Sequence, residues 1–229
     1  MNKQPDEESA GDAVHTVTKA ALSAIPIVGG PVQVLFESIF TAPLEKRKAA
    51  WLNELAGVVK ELEARIDEFT PDMLSNNEDF ISAVMLASQI ALRNHQVEKL
   101  AALRNAVFNS ALPSALDFDT KMVFLRLIDD LTPTHLKILK FLRDPRSWIE
   151  VNKIAKPNWS MGGVSTVLEL CLPEMKGKRD IYDRIVHDLQ AEGLLSQGGF
   201  LHGTMTEDGM LASRISGFGA EFLAYITQA

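Results

Sequence analysis

"RDIYDRIVHDLQAEGLLS", residues 179–196, is the stretch on which the reading of the fold turns. Ile181, Tyr182, Ile185, Val186 and Leu189 recur at intervals of three and four, which puts apolar side chains on one face of an α-helix, so all five are expected to be buried. Gly193 stands where a helix ends on a left-handed residue, and Leu194 and Leu195 then enter a strand. The turn-rich "SQGGFLHG" and "TEDG" follow, and "MLASRIS" at 210–216 reads as the return strand of a hairpin. "GFGAEFLAYI" closes the chain with a helix burying Phe218, Phe222, Leu223 and Ile226.

Before residue 179, Thr132 and Pro133 make a cap and first-position pair for a helix burying Leu136, Leu139 and Leu142. Arg143 to Ser160 reads as irregular, anchored by Trp148 and Trp159. Ser160 to Leu172 reads as a second helix, weakened by Gly162 and Gly163. Three helices, a hairpin and a closing helix resemble the winged-helix domain, most specifically in "DLQAEGLL" at 188–195 and "RISGFGAEFLAYI" at 214–226. That resemblance covers 131–229.

The front half shows no strand-like alternation, and none is expected before residue 190. Asp12 to Ile25 and Val32 to Phe40 read as helices separated by "PIVGGP", where Pro26, Gly29, Gly30 and Pro31 allow a tight reversal. "TAP" at 41–43 reads as a second break, with Pro43 opening a new helix. In that helix Trp51, Leu55, Val58, Leu62, Ile66 and Phe69 form one apolar face among many charges. "SNNE" at 75–78 has the spacing of a capping box. Further helices are expected over 77–92, 95–112 and 118–131.

The expected fold class is therefore mainly α: an N-terminal multi-helix bundle followed by a winged-helix-like α+β module with one small β-hairpin. Residues 1–11 form an acidic disordered arm, 12–130 the bundle with an apolar hairpin at 20–40, and 131–229 the winged-helix-like domain. Net charge is −7, and all of the excess lies before residue 131, which supports a division there.

Chemistry is sparse. Cys171 is the single cysteine, so no internal disulfide forms, and the thiol reads as a core residue in a cytoplasmic protein. No two of His15, His95, His135, His187 and His202 stand at the spacing of a helical metal pair. "IVGGP" lacks the strand and lysine of a phosphate loop. The expectation is a non-enzymatic protein with no cofactor, no metal and no small-molecule substrate.

A winged helix implies duplex DNA binding, with its third helix in the major groove and its wing beside the backbone. Here Lys176, Lys178, Arg179 and Arg184 are the residues that would meet nucleic acid. Asp180, Asp183 and Asp188 share the helix, and Glu207 and Asp208 occupy the wing, so duplex affinity is expected to be poor and a DNA-binding regulator is the further alternative. The leading reading is a protein-interaction module binding another protein or itself. The alternative is a membrane-active effector inserting Ile25, Pro26, Ile27, Val28, Val34, Leu35 and Phe36, with "EKRK" at 45–48 meeting anionic headgroups. "RNHQVEKLAALRNAVFNSAL" at 93–112 and "LTPTHLKILKFLRDP" at 131–145 resemble uncharacterised bacterial Abi-alpha-like proteins associated with abortive infection, which implies a bacterial origin and a phage-defence context.

Overall fold

The computed structural model describes residues 30–67, 69–113 and 116–227, with side chains from 43 onward, position 71 apart. The chain divides into two units, Met1–Ala50 and Trp51–Ala229. Helix α1 runs from Gly30 to Arg65. The expected break at Thr41–Pro43 is absent, and Pro43 lies inside the helix. Its fixed φ of about −65° is itself helical, so the helix can run on at the loss of one backbone hydrogen bond and some crowding of the preceding turn.

Val34, Leu35 and Phe36 belong to α1, while Ile25, Pro26, Ile27 and Val28, like the 1–11 arm, lie outside the described residues. Among the described residues no helix is long and apolar enough to cross a membrane. That corrects the expectation of the membrane as a partner. α1 has the length, but Glu37 and the run Glu45 to Lys48 interrupt every apolar window along it.

The second unit continues through α2 (Pro71–Ser75), α3 (Glu78–Arg93), α4 (Val97–Ala111) and α5 (Phe118–Asp130). Asn77 caps α3, accepting from the Phe80 N–H at 3.0 Å. The expected capping box is not formed, because the Ser75 hydroxyl instead donates back to the Asp72 carbonyl. α3 and α4 pack together, each presenting small buried residues: Ala83, Ala87 and Ala91 on one, Ala102 and Ala106 on the other. Small side chains let two helix axes approach closely, so larger residues there would push the pair apart.

The back region comprises α6 (Pro133–Arg143), α7 (Pro145–Val151), β1 (Met161–Gly162), α8 (Val164–Cys171), a 3₁₀ turn (Pro173–Met175), α9 (Arg179–Ala191), β2 (Met205–Thr206), α10 (Glu207–Met210) and α11 (Gly217–Tyr225). β1 and β2 form a two-stranded antiparallel sheet, Met161 opposite Thr206 and Gly162 opposite Met205. The fold is thus mainly helical, followed by an α+β region with one small antiparallel β element.

Three local expectations are corrected. A strand does precede residue 190, at 161–162, too short to show alternation. α7 occupies part of the stretch read as irregular, because Asp144 accepts from the Ser147 N–H and Pro145 opens the helix. The strand read over 210–216 shrinks to one bridge, Leu195 to Ile215. Thr206 starts a helical turn just before it, accepting from the Gly209 N–H, with Glu207 and Asp208 in the first turn.

Packing is continuous across residue 131. The Phe124 ring on α5 lies 5.0 Å from Phe218, 5.4 Å from Phe222 and 5.6 Å from Tyr225 on the closing helix. The last carbonyls of that helix have no partner within it. α4 supplies donors: Asn109 Nδ2 to the Tyr225 oxygen at 2.7 Å and Asn105 Nδ2 to the Ile226 oxygen at 3.1 Å.

Candidate interaction surfaces of the winged-helix-like region

α9 lies at the surface because only one of its faces is apolar. Tyr182, Ile185, Val186 and Leu189 are buried. Ile181, expected among them, is not: it is 51% exposed. It stands in the first turn, beyond the reach of the core, and leaves an apolar group on the outward face.

The four basic residues divide. Lys176 and Lys178 lie in the turn before α9, where Gly177 takes a φ of +72° that favours glycine. Both are exposed, as is Arg179 at the helix start. Arg179 Nε lies 3.5 Å from Asp183, four residues on. Arg184 is held more tightly, its Nε 2.8 Å and 2.9 Å from the two Asp188 oxygens. Asp188 also faces His135 Nε2 at 3.6 Å, and Asp183 meets His202 Nε2 at 2.7 Å. Both arginines therefore have carboxylates on their own helix.

These contacts set the local titration. Burial works to raise the Asp188 carboxyl, but Arg184 and His135 outweigh it and hold it below the usual range. Burial pulls His135 below the ordinary histidine value despite Asp188. Its Nδ1 faces the Thr132 N–H at 3.3 Å, and the Thr132 hydroxyl faces the His135 N–H at 3.4 Å, a reciprocal cap on α6.

In the wing Glu207 pairs with Lys156 and Asp208 with Arg146, while Arg214 donates to the Gly209 carbonyl at 2.6 Å and lies over the Phe200 ring. A cleft of about 170 Å³ separates α9 from the wing, bordered by Asp183, His187, Gln190, Phe200 and His202. A larger groove, of about 690 Å³, lies between α4 and α6, lined by apolar side chains such as Val97, Leu136 and Trp148 together with polar ones such as Glu98, Lys137, Lys140 and Glu174. Sequence periodicity did not reveal this groove, since it is built by helices distant in the chain.

Among the described residues no three His, Cys, Asp or Glu side chains gather where they could hold a metal ion. Cys171 is buried, and burial pushes its thiol up to about 11, the opposite of what a nucleophile needs. His95 and His187 are exposed.

No family model, no curated protein and no solved structure matches the chain.

Proposed function

We propose that this protein is a non-enzymatic protein-interaction module whose winged-helix-like region docks another protein, or a second copy, on the outward face of α9. The observation that supports the reading most is the pairing of Arg179 and Arg184 with Asp183 and Asp188 while Ile181 stands half-exposed beside them. Duplex affinity comes chiefly from cations that neutralise phosphates, and carboxylates on the same helix oppose that at each contact. An exposed isoleucine ringed by charge suits a protein surface, where a central apolar anchor with a polar rim is the common pattern.

Two measurements test it together. A short random-sequence duplex titrated by fluorescence anisotropy at low salt should show no salt-dependent binding. A protein that co-purifies with the wild type in fixed stoichiometry should be lost with Ile181→Asp. Tight, steeply salt-dependent duplex binding that disappears in Lys178→Ala would contradict the reading.

A DNA-binding regulator is kept as second reading on one observation: Lys176, Lys178 and Arg179 cluster at the leading end of the exposed third helix. The resemblance to Abi-alpha-like proteins supports proposing a place in bacterial phage defence, inside the cytoplasm. Comparing phage plating on cells with and without the gene tests that part.

A further inference from the structure

The leading end of α9 carries cations that the helix's own carboxylates leave unanswered. Lys176 and Lys178 are exposed in the turn before the helix, and neither makes a direct ion pair among the described residues. The acid just upstream, Glu174, is committed elsewhere: Lys137 pairs with it and holds its carboxyl below the usual range, with Lys178 contributing least. Arg179 and Arg184 differ, having Asp183 at 3.5 Å and Asp188 at 2.8 Å.

Ile181 stands within this basic end. Its N–H donates to the Lys178 carbonyl at 3.0 Å, which sets the two residues one turn apart on the same side of the helix. Gly177 keeps the turn clear, since a β-carbon built on it would meet nothing within 4 Å. A half-exposed apolar side chain therefore sits beside two uncommitted cations, with open approach from the turn.

The charge suits one kind of partner and opposes another. A phosphate backbone carries a negative charge about every 1.7 Å of duplex axis, so it would meet Asp180 and Asp183 as often as the two lysines. A protein segment carries fewer charges, more widely spaced. One or two carboxylates can meet Lys176 and Lys178 while a neighbouring apolar side chain covers Ile181, giving an apolar centre with a charged rim. The whole chain has a net charge of −7, so an acidic partner is repelled elsewhere and drawn to this end.

We infer that the partner docking on α9 is an acidic protein segment whose carboxylates pair with Lys176 and Lys178 while a large apolar side chain between them packs on Ile181. This rests on the docking role proposed for α9 and adds what the partner must carry.

The test is fluorescence anisotropy of the full chain with three labelled helix-forming peptides of equal length: glutamates flanking leucines, lysines flanking the same leucines, and the glutamate peptide with serine in place of leucine. The first should bind at least about tenfold more tightly than either control. Lys176→Glu with Lys178→Glu should reverse the preference towards the lysine peptide, and Ile181→Ser should weaken the first peptide at least about tenfold without changing which charge is preferred. Should the double glutamate variant fold poorly by circular dichroism, Lys176→Gln with Lys178→Gln should abolish the charge preference. Binding of none of the peptides at about 100 µM chain, equal binding of all three, or displacement of the first by a short random-sequence duplex would overturn the inference. A natural partner lost with Ile181→Asp but kept when both lysines are glutamine would leave docking on α9 standing and defeat its acidic partner.

Discussion

Gly219 is held against Leu194 so closely that a β-carbon on it would fall 2.1 Å from the Leu194 carbonyl oxygen. That oxygen already accepts the Ser216 N–H at 3.1 Å, and the Ser216 hydroxyl accepts the Gly219 N–H at 2.8 Å. The start of α11 is thereby locked onto the exit of α9. Gly219→Ala must push the two backbones apart, because the clashing atom is main chain and has no rotamer to move. The expected loss is about 1–3 kcal/mol, read as a lowered melting temperature by circular dichroism. A variant melting with wild type would contradict this packing.

Ser110 and Tyr225 share a buried hydrogen bond of 2.6 Å joining α4 to α11. The Ser110 hydroxyl also donates to the Ala106 carbonyl at 2.8 Å, so it has a partner without the phenol. Among the described residues the phenol has no second partner of that kind. Ser110→Ala should therefore cost about 1–3 kcal/mol, by stranding a buried hydroxyl, and Tyr225→Phe only about 0.5–1.5 kcal/mol. Urea unfolding of both variants checks the order, and the reverse order would count against the assignment.

Alkaline conditions should destabilise the fold. Burial pushes Tyr225 up to about 12, and burial with the hydrogen bond to Glu169 does the same for Tyr182, from an ordinary value of 10.0. Cys171 moves from 9.0 to about 11. Between the ordinary and raised values the unfolded chain has lost protons that the native chain keeps, so stability falls as pH rises through that window. Urea midpoints at about pH 9 and about pH 11 should differ in that direction, with a smaller difference in Tyr225→Phe. A flat profile would show that these groups are solvated.

On the acid side His135 acts in the opposite sense. Its value is lowered from 6.5, so the native chain binds fewer protons than the unfolded one as pH falls. The stability tied to the neutral ring is present above 6.5 and lost as pH drops through the lowered value. Protonation also removes Nδ1 as the acceptor for the Thr132 N–H, releasing half of the α6 cap. Histidine NMR titration should place the His135 midpoint below 6.5. A midpoint above it would mean that the Asp188 charge outweighs burial.

The elements could be read wherever periodicity and caps agreed. α6 announced itself through Thr132 and Pro133, α9 through its apolar spacing, and the end of α9 through Gly193, which has a φ of +71°. Local signals failed where tertiary context decides. Ile181 fits the α9 stripe in sequence, yet the core does not extend to its turn. Pro43 carries a break signal that α1 overrides. β1 is two residues long, so no alternation exists to detect. The basic cluster was visible as residues, but the pairing of Arg184 with Asp188 could be weighed only once their helix was placed. The α4–α6 groove had no sequence signal, since no single segment contains it.

Photo-crosslinking from position 181 probes the docking role of α9 most directly. With a benzophenone amino acid replacing Ile181 in the full chain, irradiated in the cells that produce it, one discrete protein adduct should form. The same probe at Glu221, exposed on α11, should not give it. Adducts to DNA alone, or the same adduct from both positions, would contradict the account.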